Sequence, residues 1–241
     1  MEKDKDAFDY ELKIASNEEW LKEYQDWGLE YDEFCNERQG KIVNFPHAVF
    51  IRGADIVIEL LEMWCKLNIS ERDNKWASVW YGKIGYDYWF AEFFFKSKKD
   101  LENFKKIVPI FNQAVLNMNL TNQVFIERIA DLSSDLKIFY NEHIGENNYF
   151  YLFVFVGDLN RYTKNLVKSI ARNASDNLKS KELDDILKYL EKGMLAEDTF
   201  LQSLLATRFL CGLDYGLSVG ELKILESKLG PELKRILSLC K

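Results

Sequence analysis

The stretch KWASVWYGKIGYDYWFAEFFFK, residues 75–96, decides the fold class. Its two halves, KWASVWYGK and DYWFAEFFFK, are rich in aromatic and β-branched side chains, which suit a pleated, half-buried surface. Gly82 and Gly85 punctuate the turn around Ile84–Gly85–Tyr86. The pattern predicts a β-hairpin over 75–83 and 87–96. Side chains alternate along a strand, so Tyr88, Phe90 and Phe94 share a face with Glu92. Strand aromatics can stack on RNA bases, but the basic–Gly–aromatic opening of that motif is missing and Glu92 would repel phosphate. Core packing is the expected role of these rings.

Upstream, KIVNFPHAVFI (41–51) reads as a strand, with Pro46 arguing for an edge position or a bulge. Gly53 introduces ADIVIELLEMWCKL, a helix apolar almost all round except for Asp55, Glu59, Glu62 and Lys66. Downstream, KDLENFKKIVPIFNQAVLNM (99–118) is helical in period, with Asp100 as cap and Pro109 set to kink or divide it. QVFIERIA (123–130), LKIFYN (136–141) and YFYLFVFV (149–156) read as strands. The last is apolar on both faces and therefore central. LNRYTKNLVKSIARNA (159–174) is an amphipathic helix.

After Ala174 the chain becomes polar at SDNLKSK and then helical, with helices at about 181–192, 197–211, 219–229 and onward from Pro231. Ser218 and Glu221 form an S-x-x-E capping box. Gly230 stops one helix, and Pro231 fits the first position of the next. The expected fold class is α+β: a mixed or antiparallel sheet with helices in the ferredoxin-like order β-α-β-β-α-β, plus a C-terminal bundle of short α-helices. The expected organisation is an acidic aromatic helical segment (1–40), an α+β body (41–175) and a bundle (176–241) packed on that body.

The charge is local. The 241 residues carry a formal net charge of −7. Residues 1–39 hold 13 acidic and 5 basic side chains, whereas residues 40–241 hold 26 and 27. With 47% hydrophobic residues the chain is no disordered polymer, and no apolar run is long enough to span a membrane. The polar, acidic opening MEKDKDAFDYELK suits neither a secretory signal nor a transit peptide. Cys35, Cys65, Cys211 and Cys240 are scattered without C-x-x-C spacing. That favours a reducing cytoplasm, with Cys65 and Cys211 as small buried hydrophobes.

Within the acidic segment, Trp20, Tyr24, Trp27, Tyr31 and Phe34 line one helical face. Glu19, Glu23, Asp26, Glu30, Glu33 and Glu37 line another, at alternating steps of four and three. Asn17 is placed as N-cap. Each step rises about 5 Å along a helix, near phosphate spacing on a contorted strand. An acidic stripe of this kind can mimic nucleic acid or dock on a basic partner. The same spacing also describes a solvated amphipathic face.

The opposite charge gathers at Arg161, Lys164, Lys168 and Arg172, with Leu159, Tyr162, Leu166 and Ile170 on the other side. That face suits RNA or DNA contact, simple solvation, or pairing with acidic groups of the same chain. A further basic cluster is Lys96, Lys98, Lys99, Lys105 and Lys106. His47 and His143 are the only histidines. Cys35–His47 and His143–Glu142 can be drawn as catalytic pairs, but no motif supports them. Asp55, Glu59 and Glu62 cannot alone complete a cation's oxygen shell.

Phosphate-loop, dinucleotide, zinc-protease and nucleophile-elbow motifs are absent. No catalytic residue, cofactor or metal is expected. The sequence favours a non-catalytic interaction protein of inhibitor, immunity or adaptor type, in keeping with a bacterial or phage source. It would engage a basic, nucleic-acid-handling protein through Glu19, Glu23, Asp26, Trp27, Glu30, Tyr31, Glu33 and Glu37, with nucleic acid entering as part of such a complex. The alternatives are an RNA- or DNA-binding component using Arg161, Lys164, Lys168 and Arg172, and an enzyme with dispersed carboxylates and histidines.

Overall fold

The structure is a computed structural model that describes residues 13–16, 22, 38, 40–69, 74–81, 89–117, 120–144 and 151–240. The chain divides into two compact units, 1–117 and 118–241. Together they form an α+β chain: a four-stranded antiparallel sheet with helices, followed by a mainly helical region.

In the first unit the strands are β1 (Lys13–Ala15), β2 (His47–Gly53), β3 (Trp76–Tyr81) and β4 (Trp89–Phe95), in the order β1-β2-β4-β3. The hairpin is present as expected, with Trp76 opposite Phe95 and Tyr81 opposite Phe90. β2 begins directly after Pro46 and pairs on both sides, so Pro46 marks neither an edge nor a bulge. Its missing N–H is spared a ladder position because residues 40–44 before it are helical.

Helices α1 (Asp55–Asn68) and α2 (Lys98–Asn117) cover one face of the sheet. The Phe104 ring sits there, 4.6 Å from Phe93, 5.1 Å from Phe95 and 6.0 Å from Trp64 between ring centroids. α2 runs undivided through Pro109. Its cap is Ser97, whose Oγ accepts from the Lys99 and Asp100 backbone N–H groups, so Asp100 itself stands in the first turn. The opposite face buries Ala15, Phe45, Phe50, Val79, Tyr81, Phe90 and Phe94 around one charged residue, Glu92. The strand aromatics Phe90 and Phe94 are therefore core.

The second unit corrects three strand expectations. Residues 123–130 lie in α3 (Leu120–Ala130), 136–141 in α4 (Ser134–Ile144) and 149–156 largely in the first turns of α5 (Tyr151–Arg172). A ferredoxin-like order is not observed, since its last strand is α3. The buried positions explain the difference. Asn122, Ile126, Ile129 and Ala130, then Leu136 and Tyr140, then Leu152, Phe155, Val156 and Leu159 recur at helical spacing. A one-sided core selects helix over local β preference.

The C-terminal helices follow the expected punctuation. α6 (Asn177–Met194) begins where a longer linker is expected, because Asp176 caps it through the Lys179 N–H. α7 (Thr199–Leu204) runs into a π-helical turn, Leu205–Leu210, where the Cys211 N–H donates to the Ala206 carbonyl five residues back. α8 (Val219–Lys228) carries the Ser218–Glu221 capping box, and α9 (Pro231–Leu239) starts at Pro231. The Glu191 carboxylate of α6 accepts from the N–H groups of Glu232 at 2.8 Å and Leu233 at 3.0 Å, an anion on the positive end of α9. Gly230 makes room for it, since a Cβ there would meet that carboxylate.

Cys211 and Cys240 form a disulfide with Cα atoms 5.1 Å apart, against the expectation of a reducing compartment with Cys211 as a small buried hydrophobe. It fastens the end of the π turn to the residue after α9. Among the described residues no helix is long and apolar enough to cross a membrane.

Two stability tests follow from this unit. The disulfide closes a 29-residue separation, so Cys240→Ser should cost about 3 to 4 kcal/mol on loop-closure grounds. Urea unfolding with and without reductant measures it, and a reductant-insensitive midpoint would contradict the bridge. Gly230→Ala should displace Glu191 and cost about 1–2 kcal/mol, with Glu191→Ala adding little further loss in the Gly230→Ala background.

Candidate functional site

The acidic stripe identified from sequence, Glu19 to Glu37, is bracketed in the chain by two described anchors on the first unit's sheet. Before it, β1 pairs antiparallel with β2, Ile14 opposite Ile51 and Ala15 opposite Phe50. After it, Arg38 reaches the buried face of the sheet. The expected partner-binding residues Glu19, Glu23, Asp26, Trp27, Glu30, Tyr31, Glu33 and Glu37 lie outside the described residues. So do Asn17, Cys35 and Tyr88.

Arg38 meets Glu92 as a fork on a carboxylate. Its Nε donates to Oε2 at 2.8 Å and its Nη2 to Oε1 at 3.2 Å. The Tyr81 hydroxyl adds a third donor at 3.3 Å. The guanidinium also lies 5.5 Å over the Phe50 ring, a stacking that arginine's planar head permits. Glu92 has no solvent exposure, while the Arg38 side chain keeps 32%. Burial raises the carboxyl's pKa; the hydrogen bond and the charge of Arg38, then Tyr81, pull it back.

This geometry comes from alternation along the strands. Glu92 stands opposite Phe50 on β2 and Val79 on β4's other neighbour, β3. It therefore projects into the aromatic face, where no water can solvate it. The acid on an aromatic strand was visible in the sequence. Arg38, 54 positions earlier, was not, since no periodic spacing links a residue outside the sheet to a strand so far along the chain.

On α1, Glu62 accepts hydrogen bonds from the Ser78 hydroxyl and the Trp80 indole of β3, so its oxygens tie helix to sheet. No group of three or more His, Cys, Asp or Glu side chains stands together for a metal among the described residues. His143 does not pair with Glu142. Its Nε2 lies 2.6 Å from Asp158 Oδ2, and an ionised carboxylate only accepts, so Nε2 carries the proton. The other Asp158 oxygen takes Arg161, the first member of the basic stripe.

The rest of that stripe runs along α5 beside the second unit's own acids. The Lys164 pKa is lowered, chiefly by burial and then by Lys168, with Asp214 opposing. The Glu221 carboxyl is held below its usual range, first by its hydrogen bond from the Ser218 backbone, with Lys168 and Arg172 contributing. On the apolar side, the Tyr162 hydroxyl donates to Glu182 at 2.5 Å and lies 2.9 Å from Ser133 Oγ. Burial, first, and Glu182 push its pKa well above the ordinary phenol value.

The comparisons meet this architecture in its second half. Residues 122–239 match the model of a family described as a domain of unknown function (DUF7674). The match falls within the second unit, so the helical unit is what resembles that family and the sheet unit lies outside it. No curated protein and no solved structure matches the chain.

Removing one partner from a buried ion pair strands the other charge. Arg38→Met should therefore cost roughly 3 kcal/mol at neutral pH. The sign with pH follows from the raised Glu92 pKa. The folded state holds that proton more tightly than the unfolded chain, so protonation favours folding below the folded pKa and this contribution is lost as pH rises through it. Without Arg38 the shift grows. The deficit of Arg38→Met should shrink as the pH falls from 8 toward about 5, and Glu92→Gln in the same background should relieve much of it. Urea midpoints across that range decide, and a deficit independent of pH would contradict the assignment.

Proposed function

We propose that this chain is a non-catalytic interaction protein of inhibitor, immunity or adaptor type, and that its acidic N-terminal segment engages a basic partner. The supporting observation is the Arg38–Glu92 fork. It ties the chain just after the acidic stripe to the sheet, while β1 ties the chain just before it. A charged segment anchored on a sheet meets a partner with less entropy to lose than a free tail.

The charge distribution points the same way. A net of −8 in residues 1–39 contrasts with 26 acidic and 27 basic side chains in the rest. Complementary charge raises association rates and rejects like-charged competitors. A nucleic-acid-handling protein is the partner class such a surface fits, because its basic groove is already shaped for a row of anions. The basic stripe on α5 supports direct nucleic-acid binding less well, since Asp158, Asp214 and Glu221 answer part of its charge.

Reversing Glu23, Asp26, Glu30 and Glu33 together to Lys tests the reading. The variant should keep the parent's urea midpoint while losing the basic protein that the parent retains from native-host extract. With that protein purified, the parent's association rate should fall with added salt, and the variant's should be lower by at least about tenfold at low salt. Equal capture by parent and variant would overturn the proposal.

A further inference from the structure

β3 stands at an edge of the sheet: β4 pairs with one of its sides, and among the described residues no strand pairs with the other. We propose that this free edge joins the same edge of a second copy of the chain, antiparallel and about a two-fold axis through Ser78, so that two four-stranded sheets become one.

The ladder fixes which backbone groups face outward. Lys96 donates its backbone N–H to the Lys75 carbonyl, so 75 and 96 form a hydrogen-bonded pair. Such pairs alternate with non-bonded ones along an antiparallel ladder. Ala77, Val79 and Tyr81 therefore turn their N–H and C=O groups toward Phe94, Glu92 and Phe90 of β4. Trp76, Ser78 and Trp80 turn theirs the other way. Ser78 and Trp80 are half-buried, so that side of the strand is not sealed. Their side chains are already fixed, because both donate to Glu62 of α1. The edge is thus held in its extended form before any partner arrives, which lowers the entropy lost on association.

Natural edge strands are guarded by charge, proline, a bulge or shortness. β3 has none of these. WASVWY is six residues long, carries no charged residue and no proline, and pairs one-to-one with β4 throughout.

The spacing selects a second copy as the occupant. The outward residues are Ser78 and the positions two before and two after it. A two-fold axis through Ser78 sets it against the partner's Ser78, and sets Trp76 against the partner's Trp80. Each pair matches an outward residue with an outward residue, so the free N–H and C=O groups of both edges close on one another with none left over. On the face covered by α1 and α2, a tryptophan then meets a tryptophan across the seam on either side of the axis, and aromatic cross-strand pairs stabilise a sheet. On the other face Ala77 meets the partner's Val79. No charged side chain lies within the seam, so the net charge of −7 on each copy is not concentrated there. The contact uses the same patch on both copies, as a two-fold dimer requires.

The size of the contact sets its strength. Six residues extend about 20 Å, and a single strand edge buries less than the ~1,200 Å² of standard stable complexes. The dimer therefore forms and dissociates with concentration.

Sedimentation of the full-length chain is the test. The molar mass should correspond to one chain at ~1 µM and approach two at ~1 mM. Ser78→Pro removes an outward N–H and spares the β4 ladder, since proline is tolerated where an edge strand's N–H faces away from its neighbour. It deletes both hydrogen bonds at the axis and should weaken association by at least about tenfold. Ser78→Ala loses the same hydroxyl bond to Glu62 but keeps the N–H, and should dimerise like the parent. If Ser78→Pro does not fold, amide exchange in the parent decides. The Trp76, Ser78 and Trp80 amides should gain at least about tenfold protection between the lowest and highest concentrations, while those of Ala77 and Val79, already bonded to β4, change less. The proposal is overturned by a single-chain mass throughout, by Ser78→Pro associating as tightly as the parent, or by edge amides whose protection does not follow concentration.

Discussion

A carboxylate with no solvent exposure stands in the middle of the central strand, and everything on that face of the sheet is arranged around it. Glu92 could have been a phenylalanine like its neighbours at 90, 93, 94 and 95. As an acid it demands a cation and further donors in the same place. Arg38 and the Tyr81 hydroxyl provide them, and the Phe50 ring stacks against the guanidinium. An apolar residue would pack against many sequences, whereas a buried charge accepts only a partner with the right geometry. The pair thus works as a register lock more than as a source of stability. It determines where the chain leaving the acidic segment rejoins the sheet.

The helical unit solves the same problem of placement with weaker but more numerous fasteners. Glu191 holds the start of α9, Lys228 of α8 reaches Asp184 and Ser180 on α6, and Tyr162 joins Glu182 and Ser133. Each joins one helix to another part of the unit through side chains. Short helices of nine or ten residues are marginal alone. Here their ends are held by side chains of longer helices, and their apolar faces are buried by Leu225, Leu233 and Ile236.

What could be read from sequence divides along physical lines. The hairpin was legible because alternation, aromatics and glycine turns agree over more than twenty residues. The capping box at Ser218 and the start at Pro231 were legible because their chemistry is local. The segments 123–130, 136–141 and 149–156 were not, because six to eight β-prone residues carry no period of their own. In the last of these, the helical pattern emerges only when Leu152, Val156, Leu159, Thr163 and Leu166 are followed through Gly157 into α5. The site divides in the same way. Glu92 is legible as an acid on an aromatic face, while Arg38 and the Cys211–Cys240 bridge depend on long-range folding that no spacing announces. The charge excess in residues 1–39 is plain in the sequence, whereas the anchoring of Arg38 on Glu92 needs the sheet.

The π turn at Leu205–Leu210 has a consequence for how this unit tolerates insertions and deletions. A π turn holds one residue more than the α-helical path it replaces. That extra residue sets the rotational phase at which Cys211 leaves the helix and meets Cys240. Deleting one residue from 205–210 would restore a regular helix, yet turn the cysteine about a quarter of the way round the axis. The irregularity and the bridge are thus geometrically coupled, since a change in one moves the other.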